Sequence, residues 1–180
     1  MKEIEVKVKV KDLDEIKNKL KWMTCSFGEE TLQEDSIFLK KELALLNVPL
    51  GTEVLRLREG NDKVLLTLKI SQSNEFDCIE TEVVIDSKEK MEEILGSMGY
   101  SKKVQVKKKR LMGKLRGFTI CLDKVDGLGN FVEVEKISSE DAEKVQEELM
   151  KFLESLGLSR ENRIEKGYDT LMWEALKSNK

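Results

Sequence analysis

The feature that most constrains this chain is an alternation of charged and aliphatic residues with period two, repeated from one end to the other. Residues 2–10 read KEIEVKVKV. Successive side chains of a strand point to opposite faces. Glu3, Glu5, Lys7 and Lys9 therefore share one face, and Ile4, Val6, Val8 and Val10 the other. The same phase returns downstream. Arg56 and Arg58 alternate with Leu55 and Leu57, and Lys69 shares a face with Leu65 and Thr67. Glu80 and Glu82 alternate with Ile79, Thr81 and Val83. Lys108 and Arg110 fall in phase with Val104 and Val106. Asp123 ends a run whose Ile120 and Leu122 point the other way, and Glu133 and Glu135 alternate with Val132 and Val134. Any one of these runs is an ordinary half-buried strand. Repeated with two like charges on most strands, and with the sign changing between strands, they mark a face that carries chemistry.

The remaining segments fit around those strands. The spacing of Leu13, Ile16 and Leu20 behind Asp12 predicts a helix over 12–22. A strand is expected over TLQEDSIFL, followed by a loop around Asn47–Gly51. VLRLRE and KVLLTLKI flank Gly60-Asn61-Asp62, a hairpin turn by composition. Another strand covers 77–85, and Ser87 opens a helix over 87–98. Strands are expected at 103–111, 116–125 and 130–136, with a turn at Asp126–Gly129. A helix begun by the segment Ser138–Asp141 runs to about Leu156, and a last one covers 167–177. About eight strands on hairpin-like connections favour an α+β fold in which one antiparallel sheet curls or closes, with helices outside. The 180 residues suit a single domain spanning 1–180.

Composition narrows the chemistry. The chain has no histidine, which removes Ser-His-Asp and Cys-His nucleophiles, histidine zinc sites and histidine general bases. Cys25, Cys78 and Cys121 are scattered without a CxxC pair and read as buried thiols of a reduced, cytoplasmic protein. Thirty-two basic residues stand against 35 acidic, a net charge of −3, and the pI of about 5.4 argues against a general nucleic-acid binder. No apolar run approaches a membrane span, and the N-terminus lacks a signal-peptide core.

If the charged face is concave, acids and bases confront each other across a wet cavity. Like charges so packed need ligands: divalent cations for the carboxylates, a polyanion for Arg and Lys. Oxygen donors without histidine or clustered cysteine suit Mg²⁺ or Mn²⁺. Paired arginines suit phosphate oxygens. A triphosphate satisfies both demands.

These residues resemble, in order along nearly the whole chain, the CYTH superfamily of triphosphate tunnel metalloenzymes. Glu3-Ile4-Glu5-Val6-Lys7 is similar to its N-terminal ExExK. The likeness continues through Gln33-Glu34-Asp35, Leu55–Arg58, Leu66–Lys69, Glu80-Thr81-Glu82, Lys108-Lys109-Arg110, the segment Leu122–Glu135 and Tyr168. The LDKVDGLGNFVEVE segment looks most like the class IV adenylyl cyclase branch. The resemblance implies a closed eight-stranded antiparallel β-barrel tunnel. It implies a catalytic metal held by Glu3, Glu5, Glu133 and Glu135 with Asp123 nearby, and phosphates gripped by Lys7, Arg56, Arg58, Lys69, Lys108 and Arg110. Glu80 and Glu82 either bind a second metal or orient the basic residues. Lys7 and Glu133 are the catalytic candidates, Lys7 as a general base only if its neighbours depress its pKa. Family members are often dimers, although no apolar patch assignable to a homodimer interface is evident.

Two reactions fit that site: cyclisation of ATP to cyclic AMP and pyrophosphate by a phosphorus–oxygen lyase, and hydrolysis of tripolyphosphate, thiamine triphosphate or a nucleoside triphosphate. A binding module that holds polyphosphate or nucleotide without turnover is the third reading. Other residues receive plainer expectations. Trp22 and Trp173 are taken as core, Ile37 and Phe38 as packing, Gly127 and Gly129 as turn residues, and Lys9 is divided between the charged face and a solvated rim.

Overall fold

The computed structural model describes residues 2–46 and 48–178; Asn47, in the loop expected around 47–51, lies outside them. In chain order the elements are β1 (Lys2–Val10), α1 (Leu13–Trp22), β2 (Ser26–Lys40), β3 (Glu53–Gly60), β4 (Lys63–Ser71), β5 (Asp77–Ile85) and α2 (Lys88–Ser97). There follow β6 (Tyr100–Leu115), β7 (Phe118–Val125), β8 (Gly129–Ser138), α3 (Ala142–Ser155), β9 (Arg163–Ile164) and α4 (Tyr168–Ser178). This is the α+β class expected: the described residues form eight long strands joined in antiparallel ladders, with four α-helices, plus the two-residue β9, which no alternation or turn signal announces. No described helix is long and apolar enough to cross a membrane.

The chain divides into two compact units, Met1–Thr31 with Lys108–Glu165, and Leu32–Lys107 with Lys166–Lys180. The long strands β2 and β6 are split between them. In the first unit, β8 pairs with β7 on one side and with β1 on the other, and β1 also pairs with β9 at Lys7 and Val8. The aliphatic face of this sheet is dry: Ile4, Val6, Val8, Ile120, Leu122, Val132 and Val134 pack with Ile16 and Leu20 of α1 and Val145, Leu149 and Leu153 of α3. Fully burying each such side chain contributes about 1.5–3 kcal/mol. Helix α1 begins where the sequence says it should. Asp12 Oδ1 accepts hydrogen bonds from the Asp14 and Glu15 amides at 2.8 and 3.4 Å, satisfying two of the first turn's orphan donors.

In the second unit, β3 pairs with β2 and β4, and β4 with β5. Phe38, Leu57, Leu95 and Tyr100 form a cluster with Leu55, Leu66 and Met91, so α2 covers the uncharged side. A second cluster joins Ile37, Leu39 and Val104 to Val54 and to Met172 and Trp173 of α4. Ile37 and Val54 lie in phase with Asp35 and Arg56, so α4 rests on the apolar end of the face whose other end is charged. Gly60 pairs with Lys63 around Asn61 and Asp62, both at positive φ (52° and 56°), the type I′ geometry that matches strand twist.

Three sequence expectations need correction. The strand expected from 116 starts at Phe118: Arg116 and Gly117, at φ 53° and 83°, are the turn between β6 and β7. The helix expected from Ser138 starts at Ala142, because Ser138 ends β8 and its Oγ accepts from the Glu140 amide, while Asp141 caps α3. Trp22 is not core. It is 88% exposed, since it falls off the Leu13–Ile16–Leu20 stripe that packs α1 onto the sheet.

Candidate active site

The charged face of the first unit is built from alternate residues of β1, β6, β7 and β8. Ladder registry sets them in rows. Lys7 stands opposite Glu133, Glu5 opposite Glu135, Cys121 opposite Glu133, and Arg110 opposite Asp123. The centre of this face is out of water: Lys7 is 1% exposed, Asp123 0% and Glu133 3%, while Glu5 and Glu135 are half-buried. Lys7 Nζ lies 3.0 Å from Glu133 Oε1. Arg110 grips Asp123 with two hydrogen bonds, from Nε at 2.8 Å and Nη2 at 2.5 Å, and also donates to Glu133 Oε2. Arg110 Nη1 is 3.8 Å from Glu135. Lys108, 3% exposed, completes the basic set, while Lys109 between them is exposed. The KKKR run is therefore read alternately in and out, as its phase requires.

Glu3, Glu5 and Glu135 bring carboxylate oxygens within 4.8 Å of one another. Burial and the charges of Glu3, Glu5 and Glu133, against the pull of Arg110, push Glu135 up to about 8. Two residues away the balance reverses. Burial raises the Glu133 carboxyl, but Lys7, Arg110 and Lys108 outweigh it and hold it well below the usual range. Five carboxylates (Glu3, Glu5, Asp123, Glu133, Glu135) face three cations (Lys7, Lys108, Arg110), leaving aside the solvent-exposed Lys9. The clustered carboxylates of this half-buried face suit one divalent cation. The oxygen donors fit a hard ion.

The second unit carries the other charged face. Arg58 donates to Asp35 through Nε at 2.6 Å and Nη2 at 2.7 Å. Arg56 Nη2 donates to Thr67 Oγ1 at 3.3 Å and reaches Glu80 at 3.4 Å, while Lys69 Nζ is 2.8 Å from Glu80. Thr67 Oγ1 passes its own hydrogen to Glu82 at 2.9 Å. Burial raises Glu80, but Lys69 and Arg56 bring its carboxyl below the usual range. Here three acids balance three bases. One donor is left over: Arg56 Nε is buried without a hydrogen-bond partner among the described residues, an orphan that a phosphate oxygen would satisfy.

All the sequence-selected residues thus lie on one of these two faces, except that Lys9 sits at the exposed rim, its ammonium 5.7 Å from the Phe131 ring. Asp123 is engaged by Arg110 and stands outside the Glu3–Glu5–Glu135 group. Ile37 and Phe38 are buried packing residues as expected. Sequence reasoning missed three participants. Asp35 is expected only as part of a motif, Thr67 only as a face-mate of Lys69, and Cys121 only as a buried thiol. Thr67 and Cys121 lie in phase with named charges two residues away, Lys69 and Asp123, which was the available signal, whereas Asp35 meets Arg58 only through the β2–β3 registry.

Residues 1–168 match the CYTH domain. A Methanocaldococcus jannaschii protein named "Putative adenylate cyclase" is 33% identical over 176 residues, covering 93% of this chain and 97% of that protein. A conserved hypothetical protein from Pyrococcus furiosus has a solved structure with a TM-score of 0.80 at 30% identity, covering 94% and 99% of the two chains. A Hippeastrum "Putative adenylyl cyclase", described as revealing a dominant triphosphatase activity, shares the fold at TM-score 0.64 and 19% identity, covering 100% of this chain and 97% of its own. The chain belongs to the CYTH family, a class of metal-dependent enzymes that act on triphosphates.

Proposed function

We propose that this protein is a divalent-metal-dependent enzyme that cyclises ATP to cyclic AMP and pyrophosphate, as a class IV adenylyl cyclase does. The observation that supports the metal part of this reading is the approach of the Glu3, Glu5 and Glu135 carboxylates to within 4.8 Å of one another beside Glu133. A module that only held a polyanion would gain nothing from a carboxylate cluster beside its ligand.

Glu3, Glu5, Glu133 and Glu135, with Asp123 behind them, would hold Mg²⁺ or Mn²⁺. When bound, the ion supplies charge neutralisation and lowers the pKa of an attacking hydroxyl or water. Arg56, Arg58, Lys69, Lys108 and Arg110 bind phosphate oxygens and offset charge on the transition state. Glu80, fixed between Arg56 and Lys69, orients those two side chains, and Glu82 does so through Thr67. Lys7, locked to Glu133, places a positive charge beside the metal-binding carboxylates. In the cyclase reaction the ribose 3′-oxygen attacks the α-phosphorus, and pyrophosphate leaves.

The second reading, a triphosphatase in which water attacks the terminal phosphorus, uses the same groups. The description of the Hippeastrum relative favours keeping it. The deciding experiment is product analysis with ATP, tripolyphosphate and thiamine triphosphate, each with Mg²⁺, Mn²⁺ or chelator, and with Glu133→Gln as control. Cyclic AMP with pyrophosphate supports the cyclase. Orthophosphate released by the wild type and lost in Glu133→Gln replaces it with the triphosphatase. Tight binding without turnover of any of the three overturns both.

A further inference from the structure

We propose that Cys121, Glu133 and Glu135 form a second metal position, selective for thiophilic divalent ions of the zinc class, that overlaps the hard-ion group through Glu135. The Cys121 Sγ and one oxygen of each glutamate lie within 4.8 Å of one another. The thiol already points into this space, donating to Glu135 Oε1 at 3.6 Å. Two of the three ligands are buried, Cys121 at 0% and Glu133 at 3% exposure, while Glu135 is half-buried and open to water. The other cysteines have no such setting. Cys25 packs in the apolar cluster of the first unit, and Cys78 donates to the Glu75 carbonyl.

Two chemistries therefore meet at one carboxylate. Glu3, Glu5 and Glu135 offer oxygen alone, which suits Mg²⁺ and Mn²⁺, whereas a thiolate beside two carboxylates favours Zn²⁺, Co²⁺ or Cd²⁺. On binding, the Sγ–metal bond forms as the thiol proton leaves to solvent, with no change of oxidation state. The Glu133 oxygens now held by Lys7 and Arg110 keep lone pairs for the ion. A zinc-class ion so placed engages Glu133 and Glu135, two of the carboxylates assigned above to the catalytic metal, so it excludes that metal and inhibits. The metal position shares residues with the proposed active site but is tested without turnover.

The probe is Co²⁺ added to the metal-free full chain. Wild type is expected to show near-ultraviolet sulfur-to-cobalt charge-transfer absorption. The band is expected to persist in Cys25→Ser and Cys78→Ser and to vanish in Cys121→Ser, with Zn²⁺ affinity at least about 10-fold weaker in that variant. Circular dichroism would confirm that Cys121→Ser is folded. Should it not fold, X-ray absorption at the cobalt edge of the wild type, Cys25→Ser and Cys78→Ser proteins replaces it, and sulfur in the first shell of all three is the expected result. Absence of the band from cobalt-saturated wild type, its survival in Cys121→Ser, or a first shell of oxygen alone would overturn the proposal.

Discussion

Glu5 stands directly opposite Glu135 across the β1–β8 ladder, so strand pairing sets two carboxylates against each other where unlike pairs would be more stable. One row along, Lys7 meets Glu133. The same two strands therefore create a repulsive pair and an attractive one; burial, with Glu3 and Glu5 nearby, raises Glu135, while Lys7 and Arg110 lower Glu133.

The repulsive pair predicts a pH-dependent cost. Glu135 is raised from 4.5 to about 8, so the metal-free native state keeps a proton that the unfolded chain releases. Stability then falls as pH rises from about 4.5 to about 8 and levels off beyond. Glu135→Gln should stabilise the metal-free protein at pH 9 by on the order of 2 kcal/mol, read as a higher Tm, and leave the Tm unchanged near pH 4. Mg²⁺ or Mn²⁺ should raise the wild-type Tm more at pH 9 than at pH 6. Thermal melts across pH check both.

Glu133 has the reverse sign. Its carboxyl is depressed, so its contribution is fully present above the unfolded value near 4.5 and is lost as pH falls through the depressed native value. Glu133→Ala leaves Lys7 and Arg110 buried without that partner and should cost about 3–5 kcal/mol. Glu133→Gln, which keeps shape and hydrogen-bonding capacity, should cost less in denaturant melts while lowering kcat at least about 100-fold.

On the second face, the two hydrogen bonds from Arg58 to Asp35 fix the guanidinium plane. Arg58→Lys keeps the charge but loses the fork. It should raise KM for tripolyphosphate about 10-fold while changing kcat less. An equal fall in kcat at unchanged KM would contradict a phosphate-binding role.

Gly113 tests packing away from the charge. A Cβ there would lie 2.6 Å from Cys25 Sγ and 2.8 Å from the Phe27 ring. Gly113→Ala should therefore destabilise by about 1–3 kcal/mol, read as a lower Tm with kcat retained at permissive temperature.

What was legible in the sequence depended on whether the cause was local. Period-two alternation marked β1 and its two faces, and Asp12 and Ser87 announced their helices, because the capping oxygen sits next to the amides it serves. The turn at Asn61–Asp62 was visible for the same reason. Arg116 was not, since nothing in its side chain requires positive φ; the ladder pairing Leu115 with Phe118 imposes it. The charged faces were placed by phase alone, whereas Cys121 became a neighbour of Glu135 only through the β7–β8 registry, where Thr119 opposes Glu135 and Cys121 opposes Glu133. Long-range registry is the information that a linear reading lacks.

The strict alternation of β1 has a consequence for inheritance. Its carboxylates, proposed above as metal ligands, and its fully buried aliphatic core residues occupy odd and even positions of one strand. Deleting a single residue early in the strand would bring Ile4, Val6 and Val8 round to the charged side and drive glutamates into the apolar cluster. A slipped chain could not keep its fold while losing its chemistry. Frame changes in this segment should yield no soluble inactive relative, so variation there is confined to substitutions that preserve the odd–even order.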